Sequence, residues 1–181
     1  MNSYAPNNVD FTRSSDNFSE GLLRINTLNQ ALKKEFGEKV VKLSIDAGFT
    51  CPNRDGSKGF GGCTFCSSSG SGDNASNIDE QTNLLSEKWP NAKYIAYFQN
   101  YSGTYAPVSK LRELYYGALD DPRILGLAIA TRSDCIDDDC LALLDEINKK
   151  HFLWVELGLQ TIHEDSAKKL NLCHSLQDYD E

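Results

Sequence analysis

The chain has 181 residues, 40% of them hydrophobic and 24% charged, a make-up that suits one folded domain with its own core and excludes a chain disordered throughout. Its net charge of -8 excludes a surface that wraps nucleic acid over its whole extent, while a local basic groove, or a basic part that this chain lacks, stays open. No basic start with an apolar run opens the sequence, and the longest apolar stretch, Ile124 to Ala130, is too short for a membrane helix, so a cytoplasmic protein without membrane contact is expected.

Residues 1–23 are polar, poor in aliphatics and without helical period, and read as a flexible arm ahead of a single core over residues 24–181. Ile25, Leu28, Leu32 and Phe36 then fall on one face with Gly37 as a stop, predicting a helix over residues 25–36. VVKLSI, residues 40–45, is a strand. Residues 46–77, rich in Gly, Ser, Asn and Asp, form a loop long enough to be functional or disordered.

A repeating pattern follows: helix 78–89, strand 93–98, helix 109–119 with Leu111, Leu114, Tyr115 and Leu119 on one face, and strand 124–130. Helix 136–149 buries Cys140, Leu143, Leu144 and Ile147, strand 152–157 follows, and a last helix begins near Asp165. Strands alternating with amphipathic helices predict an α/β fold of four parallel βα units. Near-continuous apolar strands suit a sheet with helices on one face and a packed interior on the other. In such sheets and barrels the chemistry sits at the carboxyl ends of the strands, where the polar motifs of this sequence lie.

Six cysteines occur, and in a reducing compartment grouped cysteines signal metal or catalysis more often than disulfides. Cys51, Cys63 and Cys66 share the segment CPNRDGSKGFGGCTFC: a Cys-x-x-Cys turn, and a third thiol that folds back across a stretch loosened by Gly56, Gly59, Gly61 and Gly62. Structural zinc wants four protein ligands, whereas a cubane cluster on three thiolates keeps one iron open. Spacing alone leaves both readings standing.

VVKLSIDAGFTCPNRDGSKGFGGCTFC resembles the cluster loop of a branch of the radical S-adenosylmethionine (SAM) proteins in which the cysteine spacing is longer than Cys-x3-Cys-x2-Cys. The preceding RINTLNQALKKEFGEKV is similar to that family's first helix, and YFQNYSGTYAP, IATRSDCI and VELGLQTIHEDSAKKLN to its second, third and fourth strand ends. The last two segments also resemble the radical SAM domain of the Elongator catalytic subunit. The resemblance covers about residues 24–178. It implies a partial TIM-like barrel and a 4Fe–4S cluster on Cys51, Cys63 and Cys66. It further implies reductive cleavage of SAM to a 5′-deoxyadenosyl radical that abstracts hydrogen from substrate, and a reductant such as flavodoxin or ferredoxin.

The same resemblance assigns cofactor contacts, each with a plainer alternative. Phe65 lies beside the adenine, or packs the loop. Gln99 and Asn100 reach the SAM amino group, or belong to an ordinary loop. Thr131 and Arg132 follow strand three, where the arginine fork fits the SAM carboxylate, or pairs with Asp134 at the surface. Glu156 and Gln160 suit the ribose hydroxyls; a glutamate in an apolar strand needs a partner, and a lysine is the alternative to the ribose. No catalytic residue is assigned. Cys140 reads as core, Cys135 as a thiol near the end of strand three, and Asp137, Asp138 and Asp139 as helix N-terminal charges. His163 and His174 lack metal spacing.

Two features depart from the family. Its Asn-Arg-Gly-His is Asn171-Leu172-Cys173-His174 here, which removes an arginine and leaves the glycine turn to a cysteine. Only four βα units are visible where the family's barrel usually has six, so an open edge needs a partner chain, an oligomer or other cover. The likeness to Elongator suggests tRNA as substrate, with the wobble uridine as target; protein and small-metabolite substrates stay open. Alternatives are a zinc-stabilised binding module and a truncated remnant that binds cluster and SAM without turnover.

Overall fold

The computed structural model describes residues 25–180; the arm expected over residues 1–23 lies outside them. Four strands, β1 (Val40–Ile45), β2 (Lys93–Phe98), β3 (Ile124–Thr131) and β4 (Phe152–Leu157), form one all-parallel sheet in the order β1-β2-β3-β4. The helices are α1 (Leu28–Phe36), α2 (Ile78–Ser86), α3 (Val108–Leu119), α4 (Asp138–Asn148), α5 (Glu164–Lys169) and α6 (Gln177–Asp180). No described helix is long and apolar enough to cross a membrane.

Side chains alternate between the two faces of each strand, which splits the core. Leu43, Ile45, Tyr94, Ala96, Phe98, Leu127 and Ile129 turn to the face covered by α2, α3 and α4, which contribute Ile78, Leu111, Tyr115, Cys140, Leu143 and Ile147. Val40, Ile95 and Ala128 turn the other way, against Leu32 and Phe36 of α1. Helix α1 caps this second face near the strand starts, and higher up the same face carries Lys42, Tyr97 and Glu156.

Helix boundaries follow capping chemistry more closely than hydrophobic spacing. Helix α1 begins at Leu28, not at residue 25, because Thr27 and Gln30 form a reciprocal capping box; Ile25 and Leu28 are exposed, and Gly37 in the left-handed region ends the helix. Asp137 accepts a hydrogen bond from the Cys140 N–H at 2.8 Å and so starts α4 at Asp138, two residues later than the pattern predicts. Asp138 and Asp139 occupy its first turn. Helix α2 stops at Ser86, short of Trp89-Pro90, where the proline disfavours helical backbone. The 3-10 turn Ser133–Cys135 and the short α6 carry no hydrophobic period and are not visible in the sequence.

Strand β4 departs from the expected buried run. None of its residues is fully buried, and Trp154 and Leu157 are 37% and 41% exposed. The strand has β3 on one side and no pairing on the other among the described strands.

The turns that carry the site are sewn together. The Tyr115 hydroxyl, deep in the core, donates to the Gly103 carbonyl at 2.6 Å, and the Gly103 N–H donates to the Ala130 carbonyl at 2.8 Å. Thr104 Oγ1 lies 2.6 Å from Thr131 Oγ1 and donates to the Cys135 carbonyl. A Cβ on Gly103 would sit 2.9 Å from the Ala130 oxygen, so the loop after β2 seats on the end of β3 only with glycine there.

Candidate functional site

Residues 46–77 leave β1, return as a single bridge between Ile45 and Ser76, and fold in between without regular structure. Backbone bonds tie the loop to itself: Arg54 N–H to the Cys51 carbonyl, Lys58 and Gly59 N–H to Pro52, and Gly62 N–H to Asn53. Gly61 and Gly62 are left-handed immediately before Cys63 and turn the chain back toward Cys51. Gly59 serves otherwise than expected: its φ is ordinary, and it is small because Cys173 Sγ would lie 2.8 Å from a Cβ. The Arg54 guanidinium binds the Ser67 carbonyl and stacks over Tyr101, fixing the segment after Cys66.

The loop closes over a pocket of about 290 Å³ at the carboxyl ends of the strands. Cys51, Cys63 and Cys66, all half-buried, line it together. Phe65 and Gln99 also line it, as do Thr131 and Arg132 from the end of β3, and Glu156 and Gln160 from β4 and beyond. Six of the seven cofactor positions expected from the resemblance thus share one pocket with the three cysteines.

Asn100 is the seventh and does not line the pocket. Its side chain is buried beneath the cysteine loop, with Oδ1 at 1.6 Å from where a Gly72 Cβ would stand. The sequence reading placed it correctly after β2, but the chain turns at Tyr101, whose φ is 59°, and Asn100 faces the loop's underside.

Arg132 is the structural centre of the site. Its Nε and one terminal nitrogen bind Asp134 at 2.8 and 2.7 Å. The other terminal nitrogen donates to Asn53 Oδ1 at 2.7 Å and lies 3.5 Å from Cys51 Sγ. The alternative pairing with Asp134 is therefore the one observed, and it is buried rather than at the surface. Burial opposes ionisation of Asp134, but the hydrogen bonds and charges of Arg132 and Lys58 hold its carboxyl down at about 2. Asn53, fully buried, donates from Nδ2 to Cys63 Sγ at 3.3 Å and to the Asn171 carbonyl at 2.7 Å. Burial first, then the neighbouring Cys66 and Cys51, push the Cys63 thiol up; Asn53 and Arg132 pull it back.

Glu156 is likewise already partnered, by Lys42 on β1 and by the Tyr97 hydroxyl at 2.6 Å. Burial works against its ionisation, and the bonds from Lys42 and Tyr97 win, leaving its carboxyl below the ordinary range. Lys42 also lies 3.7 Å from the centre of the Tyr97 ring.

The segment after α5 completes the wall. Leu172 and His174 line the pocket, although neither was assigned a role from the sequence. Both ring nitrogens of His174 are buried and, among the described residues, have no hydrogen bond of ordinary geometry. Burial, then Arg132, push its pKa down, against a smaller upward pull from Asp134, Asp178 and the Leu159 carbonyl. The left-handed turn in this segment falls on Asn171, with φ 55°, and not on Cys173; asparagine tolerates that conformation, so no glycine is needed.

Three thiols line one pocket, which is the number a cubane with one open iron takes. Cys135 and Cys140 are buried elsewhere, their thiols pushed to about 12 and about 11 chiefly by burial, and Cys173 is outside the pocket wall. Among the described residues, no group of three or more His, Cys, Asp or Glu side chains stands so that it could hold a metal ion. A cubane needs no such convergence on one point, since each thiolate takes a different iron.

The chain is similar to known proteins over most of its length. The chain is 48% identical over 164 residues to the uncharacterised protein YtqA of Bacillus subtilis, covering 86% of this chain and 51% of that protein. It is 39% identical over 163 residues to protein YhcC of Escherichia coli, covering 86% and 52%. With an uncharacterised protein of Methanocaldococcus jannaschii it shares 30% over 157 residues, covering 81% and 48%. The chain therefore spans about half the length of the curated relatives it matches. No family model matches the chain.

Proposed function

We propose that the chain carries the cluster-binding and SAM-binding part of a radical SAM enzyme, built on four βα units of a TIM-like barrel. The observation that carries this reading is one pocket, at the carboxyl ends of four parallel strands, lined by Cys51, Cys63 and Cys66 together with residues from the ends of β3 and β4. Bound there, the cluster supplies the electron that cleaves SAM and starts hydrogen abstraction.

The protein's own residues do the rest. Cys51, Cys63 and Cys66 hold the cluster, and the loop that carries them shields it. Gln99 and Gln160 offer amides that both donate and accept, as the polar groups of SAM require. Phe65, 48% exposed at the rim, offers a flat apolar surface for the adenine. Glu156 gives up Lys42 or Tyr97 to take a ribose hydroxyl. For the substrate, the likeness to the Elongator subunit favours tRNA; the charge of -8 requires its phosphate contacts to be local, and binding that does not weaken with salt would count against it.

The test is anaerobic reconstitution of the chain, with iron and sulfide counted and 5′-deoxyadenosine sought after dithionite and SAM, beside Cys63→Ala. About four irons per chain, lost in the variant, with 5′-deoxyadenosine formed, supports the reading. Zinc without iron overturns it in favour of a zinc-stabilised module, and iron without SAM cleavage marks a remnant or a missing partner.

A further inference from the structure

We propose that Asn53 and Arg132 are positioning residues that hydrogen-bond the Cys63 and Cys51 thiolates and thereby raise the reduction potential of the cluster those cysteines hold. The inference rests on the cluster reading above and adds a role for two residues that bind neither iron nor substrate.

The direction of the contacts is fixed by elementary chemistry. An arginine has five N–H donors and no acceptor. Asn53 must therefore turn its oxygen toward Arg132, 2.7 Å away, which leaves its NH2 group no choice but to face Cys63 Sγ and the Asn171 carbonyl. Arg132 is itself held: Asp134, 2% exposed at its side chain, takes two of its nitrogens, and Lys58 secures Asp134 from the other side. The order runs Lys58, Asp134, Arg132, Asn53, Cys63, with a branch from Arg132 to Cys51. Two of the three sulfurs thus receive N–H groups that are locked before any cluster arrives.

Reduction adds one electron, supplied by the donor protein or by dithionite, to a centre whose charge is already spread onto its thiolates. An N–H dipole aimed at a sulfur stabilises the added charge and makes reduction easier. Arg132 adds a full positive charge beside Cys51, and its fork holds the geometry in a way that a lysine would not.

The experiment uses the whole reconstituted chain: iron and sulfide content, then an EPR-monitored redox titration of wild type, Asn53→Leu and Arg132→Lys. Arg132→Lys keeps the charge beside Asp134 and removes the N–H at Cys51; Asn53→Leu keeps the volume and removes the N–H at Cys63. Equal iron with a more negative midpoint in each variant is the expected result. Equal iron with unchanged midpoints overturns the proposal while leaving the cluster reading intact, and wild type without iron overturns both. Should a variant lose its iron, wild-type protein with 15N-labelled arginine decides: a nitrogen coupling on the reduced cluster in pulsed EPR upholds the Arg132 contact, and its absence removes it.

Discussion

Lys42 on β1 and Glu156 on β4 form an ion pair although β2 and β3 lie between their strands. In a flat sheet three strand spacings would hold the two strands about 14 Å apart. Their long side chains meet on the sheet face opposite α2, α3 and α4, and Tyr97 of β2 touches both. The pair borders the cysteine pocket, whose wall includes Glu156.

This pair couples the sheet's two edges, so a double-mutant cycle of Lys42→Met and Glu156→Gln in urea should give a coupling of about 1–2 kcal/mol, above an exposed pair and below a fully buried one. Because Glu156 has a depressed pKa in the fold, its contribution is present at neutral pH and declines as pH falls through that lowered value. A coupling near zero would mean that the pair does not tie the two strands together.

Asp134 gives a separate acid dependence. Its carboxyl falls from an ordinary 3.8 to about 2, a difference worth about 2 kcal/mol of stability. The sign follows from the depressed value: the contribution is complete above the unfolded pKa and is lost as pH drops toward the folded one. On the metal-free chain, denaturation at pH 7, 4 and 3 should show wild type losing stability relative to Asp134→Asn over that window. Parallel curves for the two proteins would contradict the assignment.

The four strands were legible because apolar runs bounded by polar loops have few other readings: Lys93–Phe98 and Phe152–Leu157 fall where the sequence puts them. The helix starts were less so, since Thr27 and Asp137 act through single side-chain bonds that override spacing. In the site, the cysteines and the strand-end residues could be read from position. The Arg132–Asn53 contact could not, because it joins residues 79 apart in sequence through a turn that only the folded loop defines. Pairing of Glu156 with a lysine is legible in the sequence, and Lys42, a lysine in another apolar strand, is the residue that makes it. The place of His174 in the pocket wall is hidden in the sequence because it depends on the segment after α5 returning over the pocket.

Seating of the cysteine loop depends on Gly72. A Cβ there would overlap the buried Asn100 amide, whose Oδ1 and Cγ stand at 1.6 and 2.1 Å. Gly72→Ala must displace either the amide or the loop, at a cost of about 1–3 kcal/mol. The expected outcome is a lower midpoint of thermal unfolding and poorer iron uptake. Substitution at Gly37, where an added Cβ meets nothing within 4 Å, strains only the left-handed turn and should leave iron uptake unchanged. Normal iron uptake by Gly72→Ala would mean that the loop does not need this seat.

If the pocket takes SAM as proposed, its lining residues divide into those free to touch SAM and those already engaged. Gln99 and Gln160 line the pocket; the Gln99 oxygen accepts from Ser44, while its amide N–H groups have no partner among the described residues. Each hydrogen bond to SAM is worth about 0.5–1.5 kcal/mol, so Gln99→Ala and Gln160→Ala should each weaken SAM binding by about 2- to 10-fold in calorimetry. Arg132 lines the same pocket, yet four of its five donors are directed at Asp134, Asn53 and Cys51. Arg132→Lys should therefore leave SAM affinity within about 2-fold, less than the loss of one such hydrogen bond at full strength. A drop of tenfold or more in Arg132→Lys, with no change in the glutamine variants, would instead restore the arginine as the carboxylate's partner and make its contact with Asn53 secondary.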